Sequence, residues 1–193
     1  MAEPSASNII AGPVSIYLAA TGTAFPSLAT APAAADWATA GFKAVGYTEA
    51  GAEITDTPTV LAVKPDEVIG VAKQFPTDLK TEIKLTLLEA TLENWSRAVA
   101  LASLSNPGSG TKTMSVGSGN PLQEFALGLQ GTGPGGANDR VATIWRVNSL
   151  AAVTVNFARK KNSVIAVTFT ALVDSTKSSG YDVYQVVDFN AGS

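Results

Sequence analysis

Two groups of acidic residues lie close enough in the sequence to do chemistry together: the adjacent pair Asp66-Glu67, and the series Glu49, Glu53 and Asp56. Carboxylates so placed can ligate a hard cation through oxygen or share acid–base work. Neither set has the spacing of a known cation loop. Both sit among Gly, Thr and Pro residues, so they read as solvated turns and hairpin edges. The chain has no histidine and no cysteine. Histidine is the commonest general base at neutral pH and the commonest metal ligand, so Ser-His-Asp and Cys-His catalysis are excluded, as are zinc sites built on those ligands. No cofactor, no metal and no enzymatic activity are expected. The lack of thiols also removes disulfides and leaves the redox compartment open.

Other chemistry-bearing stretches are poorer still. The Gly-rich run Gly131–Gly136 has neither a G-x-G-x-x-G pattern nor a G-K-[ST] ending, and Gly117-Ser118-Gly119 lacks the nucleophile elbow. Three adjacent cations, Arg159, Lys160 and Lys161, would attract phosphate, but lysines at a hairpin tip are also a common defence against strand pairing. Trp37, Trp95 and Trp145 would make a sugar-stacking platform if exposed together. Trp95 reads as core, and the other two are undetermined.

These residues must be positioned mostly by strands. Leu79, Thr81, Ile83, Leu85 and Leu87 alternate with Lys80, Glu82, Lys84 and Thr86, the period of a half-buried strand. After Glu89 the period changes to that of a helix over 91–102, with Thr91 as N-cap, Leu92, Trp95, Val99 and Ala102 on one face, and Glu93 and Arg97 spaced as an i,i+4 pair. Further strands are expected at Val14–Ala19, Thr59–Val63, Val68–Gln74, Leu122–Leu127, Arg140–Val147, Leu150–Ala158, Val164–Val173 and Tyr181–Val187. A hairpin is expected around Thr48–Gly51, a turn at Pro65-Asp66, a break at Phe75-Pro76 and a short helix over Ala34–Thr39. Residues 1–12 read as a loose arm, and 103–120 and 128–139 as flexible Gly/Ser/Pro/Asn loops. Val153, Val155 and Phe157, like Ile165, Val167 and Phe169, leave the opposite face of their strand uncharged, which suits ordinary solvent and a water-filled lumen alike.

Composition agrees with this picture. At 193 residues and 46% hydrophobic the chain is long enough for one well-cored domain over 1–193. Seventeen Gly, ten Pro and only 7% aromatic residues suit short strands and turns more than a helical bundle. The net charge of −3 is uneven, with eight acids and four bases in residues 1–80 against eight and nine in 81–193, and neither part is basic enough to clamp nucleic acid. The first basic residue is Lys43 and no apolar run reaches the ~18 residues of a membrane span, so neither a signal peptide nor a membrane partner is expected. Asn94-Trp95-Ser96 matches a glycosylation acceptor by chance, inside the expected helix.

The stretch TEIKLTLLEATLENWSRAVALA (Thr81–Ala102) resembles the strand-then-helix signature f-x-LLE-x-T-L-E-N of bacteriophage major tail proteins. VSIYLAATGTAFP (Val14–Pro26) is similar to that family's opening strand and ap-x-GT-x-x-P loop, and GYTEAGAEIT, ending at Thr55, to its G-y-t-e-d-G hairpin. NFARKKNSVIAVTFTALVD (Asn156–Asp174) resembles its late hairpin with a basic turn. The Gly-rich insert between Asn106 and Asp139 and the Ala-rich Ala29–Ala35 depart from the pattern.

The resemblance implies a mainly β fold, a β-sandwich or partly open barrel with one helix on its flank. It implies a structural virion protein that assembles as hexameric rings stacked into the tail tube, the conduit for DNA. Its partners would be further copies of itself, a tape-measure protein, an initiator complex at the tip and a terminator below the head. Double-stranded DNA would pass without specific binding, and assembly would take place in the host cytoplasm. Tubes of contractile and non-contractile tails share the fold. Ring-to-ring contact is expected in 103–120, through Ser103, Pro107, Thr111, Lys112 and Gly119, while Arg159, Lys160 and Lys161 would pair with acids of the next subunit. The rival is a virion decoration or binding module with an exposed aromatic platform.

Overall fold

The computed structural model describes residues 12–64, 69–106, 108, 110–133, 136–153, 155 and 163–189, without the side chains of 136–139. They form β1 (Val14–Ala20), α1 (Ala34–Thr39), β2 (Lys43–Ala44), β3 (Thr48–Val63), β4 (Lys73–Leu87), α2 (Leu92–Ala98), β5 (Ala102–Ser105), β6 (Thr113–Val116), β7 (Phe125–Gly133), β8 (Gly136–Asn148), β9 (Ile165–Ala171) and β10 (Tyr184–Asp188). The fold is mainly β and antiparallel, a sandwich with a flanking helix.

The main sheet runs β2-β1-β7-β8-β9-β4-β3, and β8 divides one of its edges between two partners. Arg140–Ile144 pair with β10, while Val147 and Asn148 pair with β9. The sheet therefore forks, and the β9-β4-β3 limb packs its inner face against β1, β7 and β8. Period-two alternation supplies that face: Ile83, Leu85 and Leu87 from β4, and Ile165, Val167 and Phe169 from β9, meet Ile16, Leu18, Leu127 and Ile144. The start of β3 returns to β1 without pairing to it. Ala50 and Gly51 line a cleft of about 650 Å³ with Val14, Ile16 and Tyr17, so the barrel stays partly open.

Helix α2 lies on the flank, with Ala98 in the core and Trp95 packed against it. Thr91 caps it as expected, its hydroxyl accepting from the Asn94 amide at 3.2 Å. Asn94 is itself buried and donates to the carbonyls of Val45 and Glu89, binding the helix to the chain beyond β2. On the opposite face of β1 and β7, residues 21–42 with α1 build a second cluster. Trp37 stacks on Tyr17 with ring centroids 4.6 Å apart, and its indole N–H donates to Gln130 Oε1 at 2.8 Å.

Several expectations are corrected. Thr48–Gly51 is not a hairpin. Gly51 takes a positive φ of 73° at an irregularity in the β3–β4 register, so the same left-handed glycine makes a bulge and the strand continues. Phe75-Pro76 does not end a strand. β4 passes through Pro76 with Thr77 bulged out, at a level where β9 does not reach, so the missing proline N–H removes no ladder bond to a third strand. The helix stops at Ala98 rather than 102, because Val99 is extended (φ −92°, ψ 118°) and Ala102 opens β5. Residues 103–120 contain the β5–β6 hairpin, and 128–133 and 136–139 belong to the paired strands β7 and β8, so neither stretch reads as a free loop among the described residues. Of the strand expected at Leu150–Ala158, residues 154 and 156–158 lie outside the described residues, and Val155 bridges to Ile165.

Candidate assembly surface

The ribbon made by β3 and β4 is longer than the fold beneath it. β9 pairs with β4 only from Glu82 to Leu87, yet the β3–β4 ladder runs on to Val63 opposite Lys73. Every residue of Pro58–Val63 and Lys73–Lys80 is exposed. These residues form an arm without a neighbouring strand on either edge or a covering layer on either face, among the described residues.

Register and the period of two assign the faces of the arm. Ala52 and Ile54 of β3 and Ile83 and Leu85 of β4 face the core, and the same side continues outward as Pro58 opposite Leu79, Val60 opposite Pro76, and Ala62 opposite Gln74. The other side carries Leu61 opposite Phe75 and Val63 opposite Lys73, whose ammonium lies 4.7 Å from the Phe75 ring centroid. Leu61 is 59% exposed, Leu79 49% and Val60 46%. A two-stranded ribbon with this much apolar surface in water on both sides is unusual for a lone domain.

A polar clasp holds the base of the arm. Asp56 accepts from the buried Thr81 hydroxyl at 2.5 Å and from the Tyr184 hydroxyl at 2.6 Å, joining β3, β4 and β10. The hydrogen bond to Asp56, with burial, pushes the Tyr184 phenol above its ordinary pKa. β10 is further held by Arg140, which makes a two-pronged ion pair with Asp188 at 2.6 Å, and by the Trp145 indole donating to the Tyr181 carbonyl at 2.6 Å. Arg140 in turn keeps the Asp188 carboxyl below the usual range.

The assembly residues expected from sequence are placed differently. Ser103 lies on β5, Lys112 just before β6 and Gly119 after it, all exposed beside α2. Lys112 pairs with Glu93 and, with a smaller attraction from Arg97, lowers the pKa of that carboxyl, so Glu93 binds the hairpin to the helix. Asn120 donates to the Leu101 carbonyl at 2.8 Å and the Ser115 carbonyl at 3.3 Å, and Gln123 donates to the Ala102 carbonyl. The segment is thus fastened to the body, with Thr111 exposed at its turn. Pro107, Arg159, Lys160 and Lys161 lie outside the described residues.

The other candidate chemistry disperses. Among the described residues no group of three or more acidic side chains is placed to hold a metal ion. Glu53 pairs with Lys84 at 3.8 Å, Asp56 is in the clasp, and Glu49 lines the cleft between β1 and β3. The tryptophans form no platform: Trp37 is fully buried and Trp145 is buried against Tyr181 and Phe25. The arm escapes the sequence reading although its signal is present, since Val60-Leu61-Ala62-Val63 breaks the alternation that a strand with one watery face would keep. Comparison with protein-family models gives no match, and neither does comparison with curated proteins.

Proposed function

We propose that this chain is a structural subunit that assembles with copies of itself into hexameric rings stacked as a bacteriophage tail tube, a conduit through which DNA leaves the head. The β3–β4 arm carries the proposal. Covering half-exposed Val, Leu and Phe side chains is worth about 1 kcal/mol each, so half a dozen of them supply roughly 5 kcal/mol gross for each arm captured by a neighbour. Repeated around a ring and along a stack, contacts of this size give a durable tube from subunits that hold together weakly in pairs. The order of the tail-protein motifs along the chain supports the same assignment.

The arm replaces 103–120 as the main ring-to-ring contact, and the exposed Ser103, Thr111, Lys112 and Gly119 serve as a secondary one. A net charge of −3 suits a bore through which phosphates slide, because a lysine-lined wall would hold a duplex at many points. The tape-measure protein, tip initiator and terminator follow as partners, with the virion as destination. No enzymatic step is required.

Negative-stain electron microscopy of the concentrated protein, with light scattering, tests the proposal. Hollow tubes or six-fold rings are the expected result. A stable trimer or a discrete dimer without further assembly would refute it in favour of a decoration module.

A further inference from the structure

We infer that the arm is captured through its faces by a second copy of this chain, and not by strand addition along its edges; this rests on the self-assembly proposed above. The usual route by which an open ribbon recruits another chain is backbone pairing at a free edge. Here both edges carry the devices that prevent it. Pro58 lies in β3, Pro76 lies in β4 beside the bulge at Thr77, and the Thr77 hydroxyl donates to the Thr59 carbonyl at 3.1 Å. Lys64 adds charge where β3 ends. A proline has no N–H to offer, a bulge breaks the spacing of the ladder, and lysine resists desolvation, so the edges are closed to a partner strand. The faces have the opposite character. Pro58, Val60, Pro76 and Leu79 prolong the very side that packs as core in the sandwich, while the reverse side sets Leu61, Val63 and Phe75 among Lys73, Asp78 and Lys80.

Charge and area identify the occupant. Residues 57–80 hold three lysines and three acids, Asp66, Glu67 and Asp78, so the arm is neutral in a chain of net charge −3. A neutral apolar ribbon does not recruit phosphate, and it meets an identical ribbon or its parent sandwich without repulsion. One face of a seven-pair ribbon is about 23 Å long and about 10 Å wide, or roughly 230 Å². A stable binary complex takes about 800 Å² from each partner. A single arm contact is too small to hold a foreign protein alone, but it suffices when every subunit both gives and receives one.

The absence of cysteine makes the test clean. Val60→Cys is labelled with a benzophenone maleimide and irradiated at high protein concentration, with Thr30→Cys, an exposed position away from the arm, as control. Copy-to-copy adducts from the labelled Val60→Cys protein are expected at about ten times the control yield or more. In the Val60→Cys background, Leu79→Lys or Ala62→Lys on the same face is expected to cut the yield about tenfold, with the near-ultraviolet circular dichroism of the body unchanged, while Pro76→Thr leaves it within about twofold. Adducts at the control level, or adducts insensitive to both lysine variants, overturn the inference. A several-fold rise with Pro76→Thr beside neutral face variants also overturns it, because the arm would then pair by its edge. Tubes are scored separately by microscopy. Adducts without tubes or rings refute the tail-tube function alone, and tubes without adducts refute the face-on capture alone.

Discussion

Replacing Gly128 with Ala should destabilise the subunit by about 2–3 kcal/mol, through one side chain. A Cβ built at position 128 stands 2.3 and 2.4 Å from Cζ3 and Cη2 of Trp37, so the ring would have to retreat by about 1 Å to reach ordinary contact. It has nowhere to go. Trp37 is fully buried, stacked on Tyr17, set edge-on to Phe42, and tied by its N–H to Gln130, whose amide donates to the Pro32 carbonyl at 2.7 Å. Overpacking costs roughly 1–3 kcal/mol and a strained indole hydrogen bond about 1 more, partly offset by the ~0.5–1 kcal/mol that Ala gains by restricting the unfolded chain. For a protein of this size the net loss lowers Tm by roughly 4–12 °C. Urea unfolding followed by tryptophan fluorescence measures it. Trp37→Leu removes the atoms that are struck, so in that background Gly128→Ala should cost less than about 1 kcal/mol. A change of under about 0.5 kcal/mol for Gly128→Ala alone, or the same cost in both backgrounds, would show that the ring is not confined as described.

Three further outcomes follow from the polar contacts. Asp56→Ala should cost about 1–3 kcal/mol, because it strands the buried Thr81 hydroxyl, whereas Thr81→Val, which leaves an exposed carboxylate in water, should cost under about 1; denaturation midpoints that rank the pair the other way would reject the clasp. Asn94→Ala loses two side-chain bonds to the Val45 and Glu89 carbonyls, so amide exchange in α2 should rise about tenfold or more, and unchanged protection there would count against its tethering role. Arg140 holds the Asp188 pKa below its ordinary value, so this partly exposed pair contributes fully above about pH 4, and its ~0.5–1 kcal/mol disappears as pH falls through the lower folded value. β10 amides should therefore exchange faster in Asp188→Asn than in the parent at about pH 7, the difference narrowing as pH falls below about 4, and no difference at the higher pH would refute the pair's contribution.

Local chemistry makes part of this fold legible. Ile165, Val167 and Phe169 alternate and are buried, Thr91 caps a helix, and the residues after Pro32 form one, since each signal lies within a few residues of what it controls. Gly51 is ambiguous because a positive φ serves a bulge as well as a turn. Trp145 alternates with Ile144 and so occupies the opposite face of β8, where Phe25 and the distant Tyr181 bury it. Pairing of β1 with β7 leaves no trace at all, because register between distant strands is set by the whole core. The expected assembly residues at 103–119 read as mobile from their Gly and Ser content, while Asn120, Gln123 and Glu93, which fasten them, are ordinary polar residues whose partners are fixed by the tertiary fold. The arm is hidden for the converse reason. Its apolar run Val60–Val63 is visible, but that nothing covers it depends on where β9 stops.

That β1 waits for β7 gives the subunit a timetable. A ribosome adding about 5–20 residues per second needs roughly 5–20 s to synthesise the hundred or so residues between the two strands, and until then the sandwich has no central pair around which to close. The β3–β4 ribbon, whose strands are joined by a short connection, is complete long before and forms within microseconds of leaving the exit tunnel. For several seconds each nascent chain therefore displays its apolar ribbon beside the identical ribbons of its neighbours on the same message. The prolines and the bulge along that ribbon's margins then act as insurance during synthesis, sparing crowded half-made chains from zipping together strand by strand before any of them has a core.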